Sequence, residues 1–277
     1  MDLWQVAAAV LSAALHAGWN AAVKASARPD FAMAAQMATT AVIVVPGLLW
    51  TGLPASASWP WIAASTALNV AYFTAILRAY DLFGFGTAYP VIRALSVLLV
   101  IPLAAWLSGE KLSAIGLIGI GLIVASLLFL AVGNAGRAAF SRAAVGWTVI
   151  AGVTSAAYIM CDAQGVRQAG SPWAYGFTMC ITMGIAYWLR NPIVKPWRVV
   201  ATYLVAAVPN AVAAVMSYVL ILWVWGAAPI APAAALRDTS SAFAILIAIV
   251  WLKEPFTPMR LGAVLLSALA VPVLRFA

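Results

Sequence analysis

Polar positions are sparse along this chain, and the apolar runs between them are long. Ten such runs stand out, over about residues 3–24, 31–50, 59–80, 86–107, 113–132, 145–167, 172–189, 199–225, 230–251 and 258–275. Most approach the roughly 20 residues that a helix needs to cross about 30 Å of hydrocarbon. Backbone amides in lipid must bond within their own segment, so each run is predicted to be a helix. The runs are rich in Ala, Leu, Ile and Val and lack ten-residue alternation, which argues against a β-barrel. The joining segments are short. The longest polar one is "GNAGRAAFSRAA", between runs five and six.

Inside the runs, polar residues recur at helical spacing. Ser12, His16, Trp19, Asn20 and Lys24 are three or four apart and share one face of the first helix. Ser155, Tyr158 and Asp162 form a similar stripe in the sixth. The fourth carries Tyr89, Arg93 and Ser96, and the ninth carries Arg237 and Ser240 with Asp238 and Thr239 beside them. The third and eighth add Asn69, Tyr72, Asn210 and Tyr218. Ionisable groups at bilayer depth are costly, so they normally face a wet cavity or a partner. The stripes therefore predict a shared polar centre lined by runs one, three, four, six, eight and nine, with the other four outside.

Blander roles stand beside these. His16 can serve as a helix–helix hydrogen-bonding group, and Lys24 can extend to the interface from the end of its run. Asp238 is read equally as an ion-pair partner for another helix and as a substrate contact. Asp162 and Asp81 are the carboxylates nominated to neutralise Arg93 and Arg237. Glu110 and Glu254 at run ends read first as caps or loop anchors, and Trp59, Trp61 and Trp197 as an interfacial belt. Pro90, Pro102, Pro209 and Pro232 fall in the lining runs. "FGFGTAYP" and "WGAAPIAP" precede the two arginines, where a hinge or a packing kink is expected.

Spacing also reveals a duplication. Glu110 and Glu254 are 144 residues apart, as are Arg93 and Arg237, and Trp4 and Trp147 are 143 apart. The pair His16 and Asn20 precedes the pair Tyr158 and Asp162 by 142. "WLSGEKLS" ends run four and "WLKEPFT" ends run nine. Residues 1–136 and 137–277 thus read as two five-helix units. Five is odd, so the second copy enters the membrane from the opposite side, an inverted repeat of the kind common in secondary transporters. The expected fold is all-α and integral to the membrane: ten transmembrane helices in two inverted repeats around a central cavity.

Composition narrows the functions. With 66% hydrophobic and 8% charged residues, the chain has too little polar surface for a soluble protein of its length. Its net charge of +8 is spread over short loops, where basic residues set topology; nucleic acid is not an expected partner. One side carries Lys111, Arg167 and Arg275. The other carries Lys24, Arg28, Arg137, Arg142, Arg190, Lys195, Arg198, Lys253 and Arg260. That bias predicts termini facing away from the cytoplasm. Ala25-Ser26-Ala27 imitates a signal-cleavage site, but Asp2 replaces the basic start and His16, Asn20 and Lys24 interrupt the apolar core, so the segment reads as a retained helix. Cys161 and Cys180 imply no disulfide framework. A single histidine and scattered carboxylates form no metal set. HExxH, GxSxG and GxxxxGK[ST] are absent, so neither an enzyme nor a cofactor is expected, and ATP-driven transport would need another subunit.

The five-helix halves, the "GEKL" end of run four, its counterpart "LKEPF" and the opening "ALHAGWNAAVK" together resemble the drug/metabolite transporter superfamily, EamA-type exporters in particular. Size and aromatic content are most similar to bacterial aromatic amino acid exporters. The resemblance spans nearly the whole chain. It implies a multi-pass protein of the bacterial inner membrane that exports small polar metabolites, amino acids including aromatic ones, by alternating access. An organophosphate or nucleotide-sugar carrier, or a drug exporter, is the alternative, since Arg93 and Arg237 match no amino-acid motif and could clamp an anion. A membrane enzyme using His16 and Asp162 as an acid–base pair ranks last. The candidate substrate-binding residues are His16, Trp19, Asn20, Tyr72, Tyr89, Arg93, Tyr158, Asp162, Tyr218 and Arg237; the expected partners are the substrate and the bilayer.

Overall fold

The computed structural model describes residues 1–83, 85–134, 141–190, 196–251 and 257–276. Among these residues the regular structure is helical, with no strand. The helices are α1 (Leu3–Lys24), α2 (Pro29–Ile43), α3 (Val45–Thr51), α4 (Trp59–Phe83), α5 (Phe85–Ser108) and α6 (Ala114–Asn134). They continue as α7 (Arg142–Gln168), α8 (Pro172–Arg190), α9 (Pro196–Ala227), α10 (Ile230–Asp238), α11 (Ser240–Val250) and α12 (Pro258–Arg275). Among the described residues, nine stretches are long and apolar enough to span a bilayer, with α2–α3 and α10–α11 each forming a single stretch. This is the architecture of a multi-pass membrane protein. The 19-residue α8 is as long as several of them, but Trp173, Tyr175, Thr178, Thr182, Tyr187 and Trp188 dilute its aliphatic content.

Local chemistry sets the helix ends. Asp2 opens α1 in a reciprocal cap: its carboxylate accepts the Gln5 N–H at 2.7 Å, and the Gln5 amide oxygen accepts the Asp2 N–H at 3.0 Å. Ser141 caps α7 and Thr257 caps α12 through their hydroxyls. Two expected spans are broken. The run over 31–50 divides at Val44, where the Pro46 ring cannot continue the amide ladder. The run over 230–251 divides at Thr239, although it holds no proline at that point. Thr239 Oγ1 donates to the Leu236 carbonyl at 2.7 Å and Ser241 Oγ to the Asp238 carbonyl at 2.9 Å. Side-chain hydroxyls there compete for the carbonyls that a continuous helix would use. "WGAAPIAP" instead spans the turn between α9 and α10, while Pro90, Pro102 and Pro209 lie within uninterrupted helices. The side chains of residues 83–87, in "FGFGTAYP", lie outside the described set.

α4 packs along α7, α1 along α9, α5 against α6 and α7, and α6 along α12; α10 and α11 close on α1. Small residues permit these approaches. Ala9, Ala13 and Ala17 form a buried stripe on α1, as expected where backbones must come close in lipid. Ser12 and Ser217 exchange hydroxyl-to-carbonyl bonds across α1 and α9, at 2.6 and 2.7 Å. The core joins both ends of the chain around fully buried Trp225, Tyr175, Ile159 and Leu222. Trp50, Trp106, Leu189 and Val205 are exposed, an outer surface suited to lipid.

Candidate functional site

Two polar clusters occupy the middle of the bundle. The first centres on Asp162, which is 1% exposed. Ser65 of α4 donates to its Oδ1 at 2.5 Å and Tyr175 of α8 to the same oxygen at 3.2 Å. Tyr218 of α9 donates to Oδ2 at 2.8 Å. Asn69, one turn beyond Ser65, donates its amide to the Ser65 carbonyl at 2.9 Å and holds that turn. Tyr175 reaches Asp162 because Gly165 lies one turn away on α7. A Cβ at Gly165 would stand 2.5 Å from the Tyr175 ring.

The second cluster is an ion pair. Arg93 of α5 donates through Nε to Asp238 Oδ1 at 2.7 Å, and its Nη2 contacts the same oxygen. Its Nη1 reaches Ser155 Oγ of α7 at 3.4 Å, and Ser96 donates to Ser155 at 2.9 Å. Arg93 is 9% exposed and Asp238 2%. Asp238 Oδ2 is buried and has no hydrogen-bond partner among the described residues. Asp238 thus takes the role nominated for Asp162 and Asp81. Asp81 is exposed near the end of α4, and Asp162 is engaged by hydroxyls. Although Asp238 adjoins Arg237 in sequence, it lies where α10 ends, and its side chain turns back to α5.

Arg237 does not mirror Arg93. It is half-buried, its guanidinium carbon lies 5.6 Å from the Trp225 ring centroid, and no described carboxylate pairs with it. Asp162 and Asp238 lie within its electrostatic reach. On α1, His16 and Trp19 meet edge to face at 5.2 Å, and His16 feels the charges of both Arg237 and Arg93. The Asn20 amide donates back to the His16 carbonyl at 2.8 Å, a local helix bond. Trp19 Nε1 is buried with no described partner. Tyr72 and Tyr158 meet at 5.6 Å between α4 and α7, and Tyr89, one turn before Arg93 on α5, lies close to Ser240 of α11.

The structure therefore joins Asp162 to Tyr218, Tyr72 to Tyr158, and His16 to Trp19, and separates Arg93 from Arg237 by role. Ser65 and Tyr175 were not among the expected site residues. Ser65 lies one turn from Asn69 on the same face, a periodicity signal that could have found it. Tyr175 sits on a run expected to lie outside, and nothing in sequence marks it. The side chain of Lys24, and Glu254, lie outside the described residues. A groove of about 460 Å³ opens between α1, α8 and α9 beside Trp4, Leu11, Trp173 and Trp223; no expected site residue lines it.

At the C-terminal end of α7, just beyond Asp162, Glu110 follows the turn made by Gly109 at φ +64°. Both its carboxylate oxygens lie 2.9 Å from the Ile230 N–H, at the start of α10. Arg167 donates to Glu110 at 3.2 Å and to the carbonyls of Trp225 and Ala228 at 3.0 and 2.9 Å. This latch joins the ends of α5, α7, α9 and α10.

No family model and no curated protein matches the sequence. Among solved structures, one described as "Crystal structure of protein" superposes with a TM-score of 0.71 at 16% identity, covering 97% of this chain and 94% of that one. At that identity the likeness concerns the fold: nearly the whole helical arrangement is shared.

Proposed function

We propose that this chain is a secondary transporter that exports small polar metabolites, amino acids including aromatic ones among them, by alternating access through a central cavity. The observation that carries the reading is the state of its intramembrane charges. Burying an ionisable group at this depth is costly and by default points to function. Arg93 and Asp238 neutralise each other, but Asp162 has only neutral donors and Arg237 has no described carboxylate. Such a set is more than helix packing requires. Tyr72, Tyr158, Trp19 and Tyr218 supply ring faces and hydroxyls suited to an aromatic amino acid.

The proposed architecture is ten spans in two inverted units, 1–136 and 137–277. Packing supports it. If the first five spans exchange with the last five, α1 against α9 becomes α7 against α4, and α5 against α7 becomes α10–α11 against α1; all four pairings occur. Residues near a two-fold axis must meet their own counterparts. The last spans of the two units, α6 and α12, meet in this way, with the Ser126 and Ser267 hydroxyls 2.8 Å apart.

An anion carrier for organophosphates or nucleotide sugars is the second reading, and Arg237 favours it, because a guanidinium without a carboxylate suits phosphate. A drug exporter remains the broader alternative within the same class. Counterflow into liposomes holding the purified protein separates these, with aromatic amino acids, phosphorylated metabolites and cationic drugs as competing probes. Exclusive competition by phosphorylated compounds would replace the amino-acid reading. The bacterial inner membrane, with termini away from the cytoplasm, is the proposed setting; a cytoplasmically active reporter fused at Ala277 would contradict that orientation.

A further inference from the structure

Asp162 stands apart from Asp238, the other carboxylate buried among the described residues, in what neutralises it. Asp238 has Arg93, whereas Asp162 faces three hydroxyls, from Ser65, Tyr175 and Tyr218, carried by three different helices. No described cation lies within ion-pair distance of it. The elements packed on α7 are α4, α5, α8, α9 and α10, with the 3₁₀ turn before α4. The titratable and charged groups nearest Asp162 are Tyr175 and Cys180 from α8, Tyr218 from α9 and Arg237 from α10; Tyr72 from α4, Arg93 from α5 and Asp238 from α10 gather one to two turns earlier along α7, at Tyr158 and Ser155. α7 itself adds Tyr158 and Cys161. Arg93 is committed to Asp238, which leaves Arg237 as a neighbouring charge rather than a bonded partner.

The two oxygens of Asp162 are unequally loaded. Oδ1 accepts two hydroxyls and Oδ2 accepts one, so Oδ2 has the free lone-pair site for a proton. We propose that Asp162 is a proton-binding site whose loading and unloading couple export to proton movement across the membrane. The bond formed is Oδ2–H; the proton comes from water on one side and returns to water on the other, with no redox change. Once protonated, Oδ2 must donate. The Tyr218 hydroxyl then turns its hydrogen away and accepts, so the α7–α9 bond reverses direction. α9 is tied to α1 by the reciprocal bonds of Ser12 and Ser217, so the rearrangement reaches the helix that carries His16 and Asn20. The coupling role rests on the transporter reading; the proton site itself does not.

The two parts are tested separately. Infrared difference spectra of the full chain in nanodiscs, taken across the physiological pH range, report the carboxylic acid C=O band. The wild type is expected to show a titrating band that Asp162→Asn lacks, and Tyr218→Phe is expected to shift its frequency and midpoint. An unchanged band in Asp162→Asn overturns the site. If that variant does not fold, a Tyr218→Phe spectrum identical to the wild type overturns it instead. Coupling is read on wild-type liposomes with L-tryptophan. At one proton per substrate, a gradient of one pH unit should sustain about a tenfold L-tryptophan gradient, with matching dye-reported proton flux. Carriage of L-tryptophan indifferent to the pH gradient overturns coupling and leaves the transporter reading intact. An Asp162-dependent band in a protein that carries none of the counterflow probes keeps the proton site and rejects the transporter reading.

Discussion

Removing the charge of Asp238 should leave Arg93 stranded. Asp238→Asn keeps the size of the side chain and one acceptor oxygen, but the guanidinium loses its counter-charge at a site where it is 9% exposed. Its other hydrogen bond, to Ser155, is long at 3.4 Å. Breaking a buried pair by removing one partner costs about 3–5 kcal/mol, most of it from the charge left behind. At roughly 2–4 °C per kcal/mol, the melting temperature should fall by about 6 °C or more. Arg93→Gln should cost less, because Asp238 can then be protonated. The double variant should be milder than the sum of the two, with a coupling of about 2 kcal/mol or more. Thermal denaturation of the four proteins in one detergent measures this cycle. Additivity within about 0.5 kcal/mol would refute the claim that the pair is a mutually dependent structural unit. Arg237→Gln provides the contrast. Lacking a described carboxylate partner, it should melt near the wild type while weakening binding of carboxylated or phosphorylated probes more than neutral ones. A large loss of stability with unchanged binding would reverse the assignment of roles.

Three further outcomes follow from the geometry. Gly165→Ala forces a Cβ onto the Tyr175 ring and should destabilise by about 1–3 kcal/mol, whereas Gly146→Ala, with nothing within 4 Å, should be near neutral; equal melting temperatures would discount the close approach. Glu110→Gln weakens the charge-assisted bonds to Ile230 and Arg167, for a loss of about 1–3 kcal/mol, and should speed thiol labelling of a cysteine placed at Ala228; unchanged labelling would make the latch incidental. His16→Leu and Asn20→Leu should lower transport of L-tryptophan in liposomes while leaving the protein folded; wild-type rates in both would return that face of α1 to helix packing.

The spans were legible because lipid makes the sequence problem nearly one-dimensional. Every backbone amide must be satisfied inside its own helix, so an apolar run such as residues 3–24 becomes α1 without reference to its neighbours. Periodicity likewise placed His16 and Asn20 on one face, and put Tyr158 and Asp162 on another. It could not foresee the break at Thr239, which depends on hydroxyls of a Thr-Ser-Ser run turning inward to carbonyls rather than outward. Nor could it choose partners. Sequence nominates Asp162 and Asp81 for Arg93, and only the approach of α5 to the broken end of α10 selects Asp238 instead. Tyr175 is the clearest case. It lies on a helix with no charged residue before Arg190 at its end, and its role arises because Gly165, ten residues earlier on another helix, leaves room for its ring to lie beside Asp162. Composition and period determine which segments enter the membrane and which faces are polar. Which polar groups neutralise one another, and which are left for a proton or a substrate, is decided by distances of a few ångströms between helices far apart in the chain.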